Sequence, residues 1–80
     1  MREDQAINLI QAELRKAKEK HEGWPGDEIY MAAILGEEAG EVLQAALDYK
    51  LFKGDIEQIA IEAAQTGAMA IRLLMNLKRS

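Results

Sequence analysis

Three glutamates stand close together in the middle of the chain, at positions 37, 38 and 41. On a helix, Glu37, Glu38 and Glu41 would lie within little more than one turn, where like charges repel and reduce helix stability. Gly36 and Gly40, in the same turn, each cost roughly 1 kcal/mol relative to alanine. A sequence selected only for folding would not concentrate these penalties in one place. The pattern therefore indicates a functional role for this turn of the helix.

Glu38 also interrupts an apolar stripe, and an unpaired charge on a buried face is costly. The residues at the spacing of that face are Met31, Leu35, Glu38, Val42, Ala45 and Tyr49. A second row at helical spacing is polar apart from one methionine, and consists of Gln58, Glu62, Gln65, Met69, Arg72 and Asn76. Its apolar neighbour row is Ile56, Ile59 or Ala60, Ala63, Gly67, Ala70, Leu74 and Leu77. We expect the apolar row to be the packed seam and the polar row to border it.

The two sets of acids should face each other. Gly54 follows Glu41 by 13 residues and precedes Glu62 by 8, so both acids would lie at comparable heights on two helices that turn at Gly54. Only oxygen ligands are available there, and the sole histidine, His21, is distant in sequence. That donor set favours Mg²⁺, or Mn²⁺, over zinc. The alternative for each single acid is a solvent-facing glutamate paired with a lysine of a neighbouring helix.

The elements that must position these residues are three helices. Apolar residues at 3–4 spacing from Ile7 predict a first helix over about residues 3–21. It should stop at Gly23, before a loop that contains Trp24 and Pro25, because proline disfavours helix at the preceding residue.

The other two helices each begin at an aspartate that can cap free backbone amides. We expect the second to run from Asp27 to about residue 51 or 52, where a left-handed glycine at position 54 ends it. The third should run from Asp55 to about Leu77, with Gln58 completing a capping box. A connection this short makes the two long helices an antiparallel hairpin.

The composition predicts one all-α domain over residues 1–80 that needs further support. Thirteen residues are alanine and four are aromatic, so the core is thin, and a domain this short gains only roughly 3–5 kcal/mol from it. With no cysteine for disulfides, we expect a homodimer or homotetramer in which paired hairpins complete a four-helix-bundle core. Gly36, Gly40 and Gly67 would let helix backbones approach closely.

Charge and hydropathy narrow the expected partners. The net charge of −4 argues against a nucleic-acid polymer as partner, because phosphate backbones need clustered Lys and Arg. The basic segment from Arg15 to Lys20 is expected to be a solvated helix face. Neither a signal-like apolar run after Met1 nor a stretch of about 20 apolar residues is present. We therefore expect a cytoplasmic protein without membrane contact.

The acidic residues resemble the motifs of the MazG-like all-α nucleoside triphosphate pyrophosphohydrolases, which carry Glu-Glu-x-x-Glu on one helix and Glu-x-x-Asp on the next. The segment Glu37-Glu38-Ala39-Gly40-Glu41 matches the first motif in full. The segment Glu62-Ala63-Ala64-Gln65 matches the second, except that Gln65 stands where aspartate is usual. The similarity covers about residues 30–75.

The resemblance implies hydrolysis of a (d)NTP between its α and β phosphates to a (d)NMP and pyrophosphate, in a house-cleaning or nucleotide-pool role. It implies metal ligation by Glu38, Glu41 and Glu62, with the Gln65 amide as a weaker ligand. The cation would neutralise the triphosphate and lower the pKa of water. The catalytic residues are then expected to be Glu37 and Glu38, with Glu37, or whichever acid stays off the metal, as the general base.

Four residues are expected to bind the substrate: Trp24, Met69, Arg72 and Asn76. Arg72 is the candidate for stabilising phosphate charge, since it lies on the row of Glu62 and Gln65. Trp24 could stack on the base or merely close the end of the bundle, and Met69 could line a base pocket or belong to the core. His21 is interpreted as a helix-end or packing residue. The rival function is a helical nucleotide-binding or assembly module without catalysis, which Gln65 favours.

Overall fold

The computed structural model describes residues 1–20 and 23–79, which form three α-helices and no strand. Helix α1 spans Glu3–Lys20, α2 spans Glu28–Phe52 and α3 spans Ile56–Asn76. The all-α prediction is confirmed, and α2 and α3 begin and end within one residue of the expected bounds. His21, the expected last residue of the first helix, lies outside the described residues. None of the three helices is both long enough and apolar enough to cross a membrane.

The predicted aspartate caps are confirmed at both helix starts. Asp27 Oδ1 accepts a hydrogen bond from the Ile29 amide at 2.9 Å, and Asp55 Oδ1 accepts one from the Glu57 amide at 3.0 Å. The predicted capping box is wrong, because the Gln58 side chain donates to Glu62 Oε1 at 2.8 Å. A hydrogen bond donated to a charged carboxylate is stronger than the neutral bond that the Gln58 carbonyl oxygen would accept from a backbone amide in a capping box. Gln58 therefore orients Glu62.

The end of α2 also differs from the expectation. Lys53, with φ of 58°, takes the left-handed conformation that we assigned to Gly54. The Gly54 amide donates to the Asp48 carbonyl at 2.9 Å, and a Cβ on Gly54 would lie 3.1 Å from the Asp48 carbonyl carbon. The chain turns one residue early, and glycine is needed at position 54 for close approach.

Helix α3 is the shared partner of the other two. It packs against both α1 and α2, whereas the described backbones of α1 and α2 do not approach each other. The α2 stripe is confirmed from Met31 to Ala45, which are both buried, with Glu38 half-buried between them. The stripe is wrong for Tyr49, which is exposed near the end of the helix.

The seam predicted for α3 is wrong in part. Ile56, Ala63 and Leu74 of that row are exposed, and the buried residues of α3 are instead Ala64, Ala68 and Arg72. Because α3 has two helical partners, its most enclosed face is not the one that a single hairpin partner would cover. Arg72 is thereby buried, although its row was expected only to border the packed face.

One glycine lets α1 come close to α3. A Cβ on Gly67 would lie 2.9 Å from Ile10 Cδ1 and 3.0 Å from its Cγ1, so a larger residue would require the Ile10 side chain to shift. The expected role in close approach is confirmed for Gly67. It is not seen for Gly36 and Gly40, which have no atom of the described chain within 4 Å of such a Cβ.

Candidate functional site

Three carboxylates meet where α2 packs on α3. One oxygen from each of Glu38, Glu41 and Glu62 lies within 4.8 Å of the other two. Glu38 and Glu62 are half-buried, and Glu41 is exposed at the edge. We call these three residues the carboxylate cluster. The expectation that acids of the two helices face each other at one height is thus met in the structure.

Two oxygens of the carboxylate cluster are buried without a hydrogen-bond partner in the described chain: Glu38 Oε2 and Glu62 Oε2. The other oxygen of Glu62 is held by Gln58. A buried polar atom without a partner costs about 1–3 kcal/mol, and more when it is charged. These oxygens therefore call for a group that accepts their lone pairs, either a proton or a cation.

The pKa values of the carboxylate cluster reflect the same crowding. Burial raises the pKa of the Glu38 carboxyl, and the charges of Glu62 and Glu37 raise it further, against a hydrogen bond from Glu41 that lowers it. The pKa of Glu41 is also raised, mainly because its protonated carboxyl hydrogen-bonds to Glu62 and because Glu38 repels its anion. The site is short of positive charge.

The donor set fits a hard divalent cation. Mg²⁺ binds oxygen ligands at about 2 Å and keeps waters or phosphate oxygens as its remaining ligands. Three carboxylates from two helices, two with an oxygen lacking a partner, supply such ligands after small side-chain adjustments. Among the described residues, the cluster consists of carboxylates alone, a donor set that favours Mg²⁺ or Mn²⁺ over zinc.

A cleft of about 790 Å³ lies next to the carboxylate cluster. Helix α3 supplies its floor, α1 and α2 supply its walls, and residues 23–25 close one end. Five residues expected at the site line it: Trp24, Glu38, Gln65, Met69 and Arg72. Glu38 therefore belongs to both the carboxylate cluster and the cleft. Pockets for small-molecule ligands are typically about 300–1,000 Å³, so the cleft is large enough for a nucleotide.

Two other predicted site residues lie outside both the cleft lining and the carboxylate cluster. Glu37 is exposed, outside both the cleft lining and the carboxylate cluster, although its charge acts on Glu38. The Asn76 amide donates to the Arg72 carbonyl at 2.7 Å, within its own helix. The expectation of a substrate contact from Asn76 therefore has no support in the geometry.

Sequence reasoning missed the basic wall of the cleft. Lys16 and Lys20, taken for part of a solvated face, both line the cleft from α1. Glu13 lines it too and pairs with Lys16 at 3.4 Å. The i,i+4 spacing of Lys16 and Lys20 indicates that they share a face of α1. The direction in which that face points depends on where α1 packs on α3. The cleft thus has Glu38 on its α2 side, and Lys16, Lys20 and Glu13 on its α1 side.

Arg72 occupies a different position from the one expected. Its guanidinium lies over the Trp24 ring, 4.5 Å from the centroid, and its Nη2 donates to the Gly23 carbonyl at 3.1 Å. Trp24 is half-buried, and its indole nitrogen has no hydrogen-bond partner in the described chain. Arg72 is therefore engaged by the connection between α1 and α2.

Comparison of the chain with models of known families, with curated proteins and with solved structures finds no match. The functional interpretation rests on the geometry of the site and on the resemblance in the two glutamate motifs.

The raised pKa values of Glu38 and Glu41 predict that the metal-free protein becomes less stable as pH rises. Their ordinary value is 4.5, so the folded state holds protons more tightly than the unfolded chain. The resulting stability is complete below pH 4.5 and is lost as pH rises through the higher folded-state pKa values. In EDTA, Glu38→Gln should therefore exceed the parent in melting temperature most at neutral pH, with the gap shrinking toward pH 4.5. A difference in melting temperature that does not change with pH would contradict the raised pKa values of Glu38 and Glu41.

Proposed function

We propose that the protein is a Mg²⁺-dependent nucleoside triphosphate pyrophosphohydrolase, which converts a (d)NTP and water into a (d)NMP and pyrophosphate. The observation that carries the proposal is the convergence of Glu38, Glu41 and Glu62, two of them with a buried oxygen lacking a partner, beside a nucleotide-sized cleft. The resemblance of these residues to MazG-like motifs supplies the reaction class.

The roles of the acids follow from their positions. Glu38, Glu41 and Glu62 would hold Mg²⁺ or Mn²⁺, and the Gln65 amide, which lines the same cleft as Glu38, offers a further oxygen. The bound cation would supply charge neutralisation and activation of water. The general base that takes the proton of the attacking water would be Glu37, whose charge acts on Glu38, or whichever acid of the carboxylate cluster stays off the cation. Water attacks the α-phosphorus, the bond to the bridging oxygen breaks, and pyrophosphate leaves with that oxygen.

The opposite side of the cleft suits the rest of the substrate. Lys16 and Lys20 line the cleft from α1 and would meet the phosphates that the cation does not neutralise. Met69 and Trp24 offer apolar surface for a base toward the end closed by residues 23–25. The cleft thus offers one region for the charged phosphates and another for the nucleobase.

We also propose that two copies associate through α2, each contributing an antiparallel α2–α3 pair to a shared four-helix core. Helix α2 is apolar on its outer face as well as its inner one. Residues about half a turn away from the α3 contact are Ile29, Ala33, Gly36, Gly40, Leu43, Leu47 and Leu51, and all are exposed. Leu43 and Leu51 are 62% and 66% exposed. A continuous apolar stripe on a helix of 25 residues is typical of an interaction surface, and the glycines leave room for close packing.

The first test of the function combines pyrophosphate release with thermal stability. Over a panel of (d)NTPs, release should require Mg²⁺, and Mg²⁺ should raise the melting temperature by mass action on the folded state. Glu38→Gln should abolish both effects while leaving the metal-free protein at least as stable as the parent. Glu19→Gln, an exposed residue of α1 outside the cleft, is the matched control and should change neither. If Glu38→Gln unfolds the protein, Glu38 is structural and the metal site is refuted.

Gln65 tests the second motif. Gln65→Asp adds a charged ligand to the carboxylate cluster, so Mg²⁺ affinity measured by calorimetry should rise. Hydrolysis should rise with it if weak metal binding limits the parent protein, although the added charge also repels the triphosphate. Unchanged affinity would show that Gln65 points away from the metal. Tighter binding without pyrophosphate release from either protein would favour the second candidate, a non-catalytic nucleotide-binding or assembly module, which the apolar outer face of α2 also suits.

Association through α2 is tested by two matched substitutions. Leu47 and Leu9 are 42% and 41% exposed, but only Leu47 lies on the outer stripe of α2. We expect sedimentation at micromolar concentration to give a dimer or tetramer for the parent and for Leu9→Glu. Leu47→Glu should dissociate it or lower its stability. A stable folded monomer for the parent would refute the association.

A further inference from the structure

Arg72 is the one buried charged residue of residues 1–20 and 23–79, with 5% of its surface exposed. A buried charge is retained only where neighbouring groups compensate for the loss of water. Arg72 lies on the central helix α3. Of the α3 residues that line the cleft, it is the furthest along the chain from Glu62 of the carboxylate cluster. Its partners therefore indicate its function.

Both contacts described above belong to the connection between α1 and α2. The guanidinium lies on the Trp24 ring at 4.5 Å, within the range of a cation–π interaction. It also donates to the Gly23 carbonyl, 49 residues away in sequence. Because the described backbones of α1 and α2 do not approach each other, these contacts fasten their connection directly to α3.

The fastened segment is part of the cleft. Gly23, Trp24 and Pro25 line one end of it, together with Arg72 itself. The position of the indole in the cleft therefore depends on the Arg72 guanidinium. Lys16 and Lys20 line the cleft from α1, where Lys16 pairs with Glu13.

We propose that Arg72 is a positioning residue that holds Trp24 as the surface on which the nucleobase stacks, and that Lys16 and Lys20, rather than Arg72, meet the phosphates. The proposal rests on the proposed function for the identity of the ligand. It assigns recognition of the base to the 23–25 end of the cleft and recognition of the phosphates to the wall of α1.

The first readout needs no turnover. Trp24 is the only tryptophan in the chain, so intrinsic fluorescence reports this residue alone. Arg72→Met should shift Trp24 emission to longer wavelength and increase its quenching by acrylamide, because the ring loses its cover. Arg72→Lys keeps a charge but not the planar group, and should give an intermediate change. Lys16→Met should leave the emission unchanged. Emission identical in the parent and both Arg72 variants would overturn the proposal.

The second readout separates base from phosphate. With Mg²⁺ present, inorganic tripolyphosphate carries the phosphates without a base. Arg72→Met should raise the KM for the preferred nucleotide about tenfold, the size of a lost base–aromatic stack, with kcat little changed. Its affinity for tripolyphosphate should match the parent, whereas Lys16→Met should weaken tripolyphosphate binding. Weaker tripolyphosphate binding by Arg72→Met would make Arg72 a phosphate ligand and overturn the proposal.

Two further controls keep the outcomes distinct. If Arg72→Met does not fold, Arg72→Lys carries both measurements, with smaller changes expected in the same direction. If the parent hydrolyses no nucleotide, the proposed function fails. The proposal for Arg72 is then decided by calorimetry of a nucleoside triphosphate against tripolyphosphate, where an equal loss of affinity for both probes, or none for either, overturns it.

Discussion

The carboxylates of Glu38, Glu41 and Glu62 repel one another at the place where α2 packs on α3. Two helices that would otherwise bury an apolar stripe carry a charge into it, and two carboxylate oxygens are left without partners. Burial and the neighbouring charges raise the pKa values of Glu38 and Glu41, so that protons bind more tightly there and relieve part of the repulsion. A divalent cation would also relieve it, because each carboxylate would be attracted to the ion. The contact between α2 and α3 is therefore both a part of the fold and a candidate ligand site.

The small residues of α3 determine what surrounds that contact. Ala64 and Ala68 are buried, and Gly67 admits Ile10 of α1, so α3 can take helices on two sides. The two outer helices leave a cleft between them, which is lined by Lys16 and Lys20 of α1 and by Glu38 of α2. The same thin core leaves the outer face of α2 apolar and uncovered. The thin core of small residues thus accounts for both the cleft and the uncovered apolar face of α2.

Periodicity within one helix was enough to predict part of this arrangement. It placed Glu38 on the buried face of α2, and counting residues from the turn placed Glu62 opposite, because both inferences depend only on helix geometry. The contributions of Lys16 and Arg72 could not be predicted in the same way. Each depends on where α1 and its connection settle on α3, which Gly67 and the Arg72–Trp24 contact determine. The residue pattern of one helix does not show where another helix packs against it.

If the carboxylate cluster binds a divalent cation, anomalous diffraction from crystals grown with Mn²⁺ should locate the ion. Mn²⁺ scatters anomalously and accepts the same oxygen ligands as Mg²⁺. We predict an anomalous peak about 2.2 Å from oxygens of Glu38, Glu41 and Glu62. The peak should be absent from crystals of Glu38→Gln. Crystals that diffract well and show no anomalous peak at these residues, or a peak that persists in Glu38→Gln, would contradict binding of the cation by the carboxylate cluster.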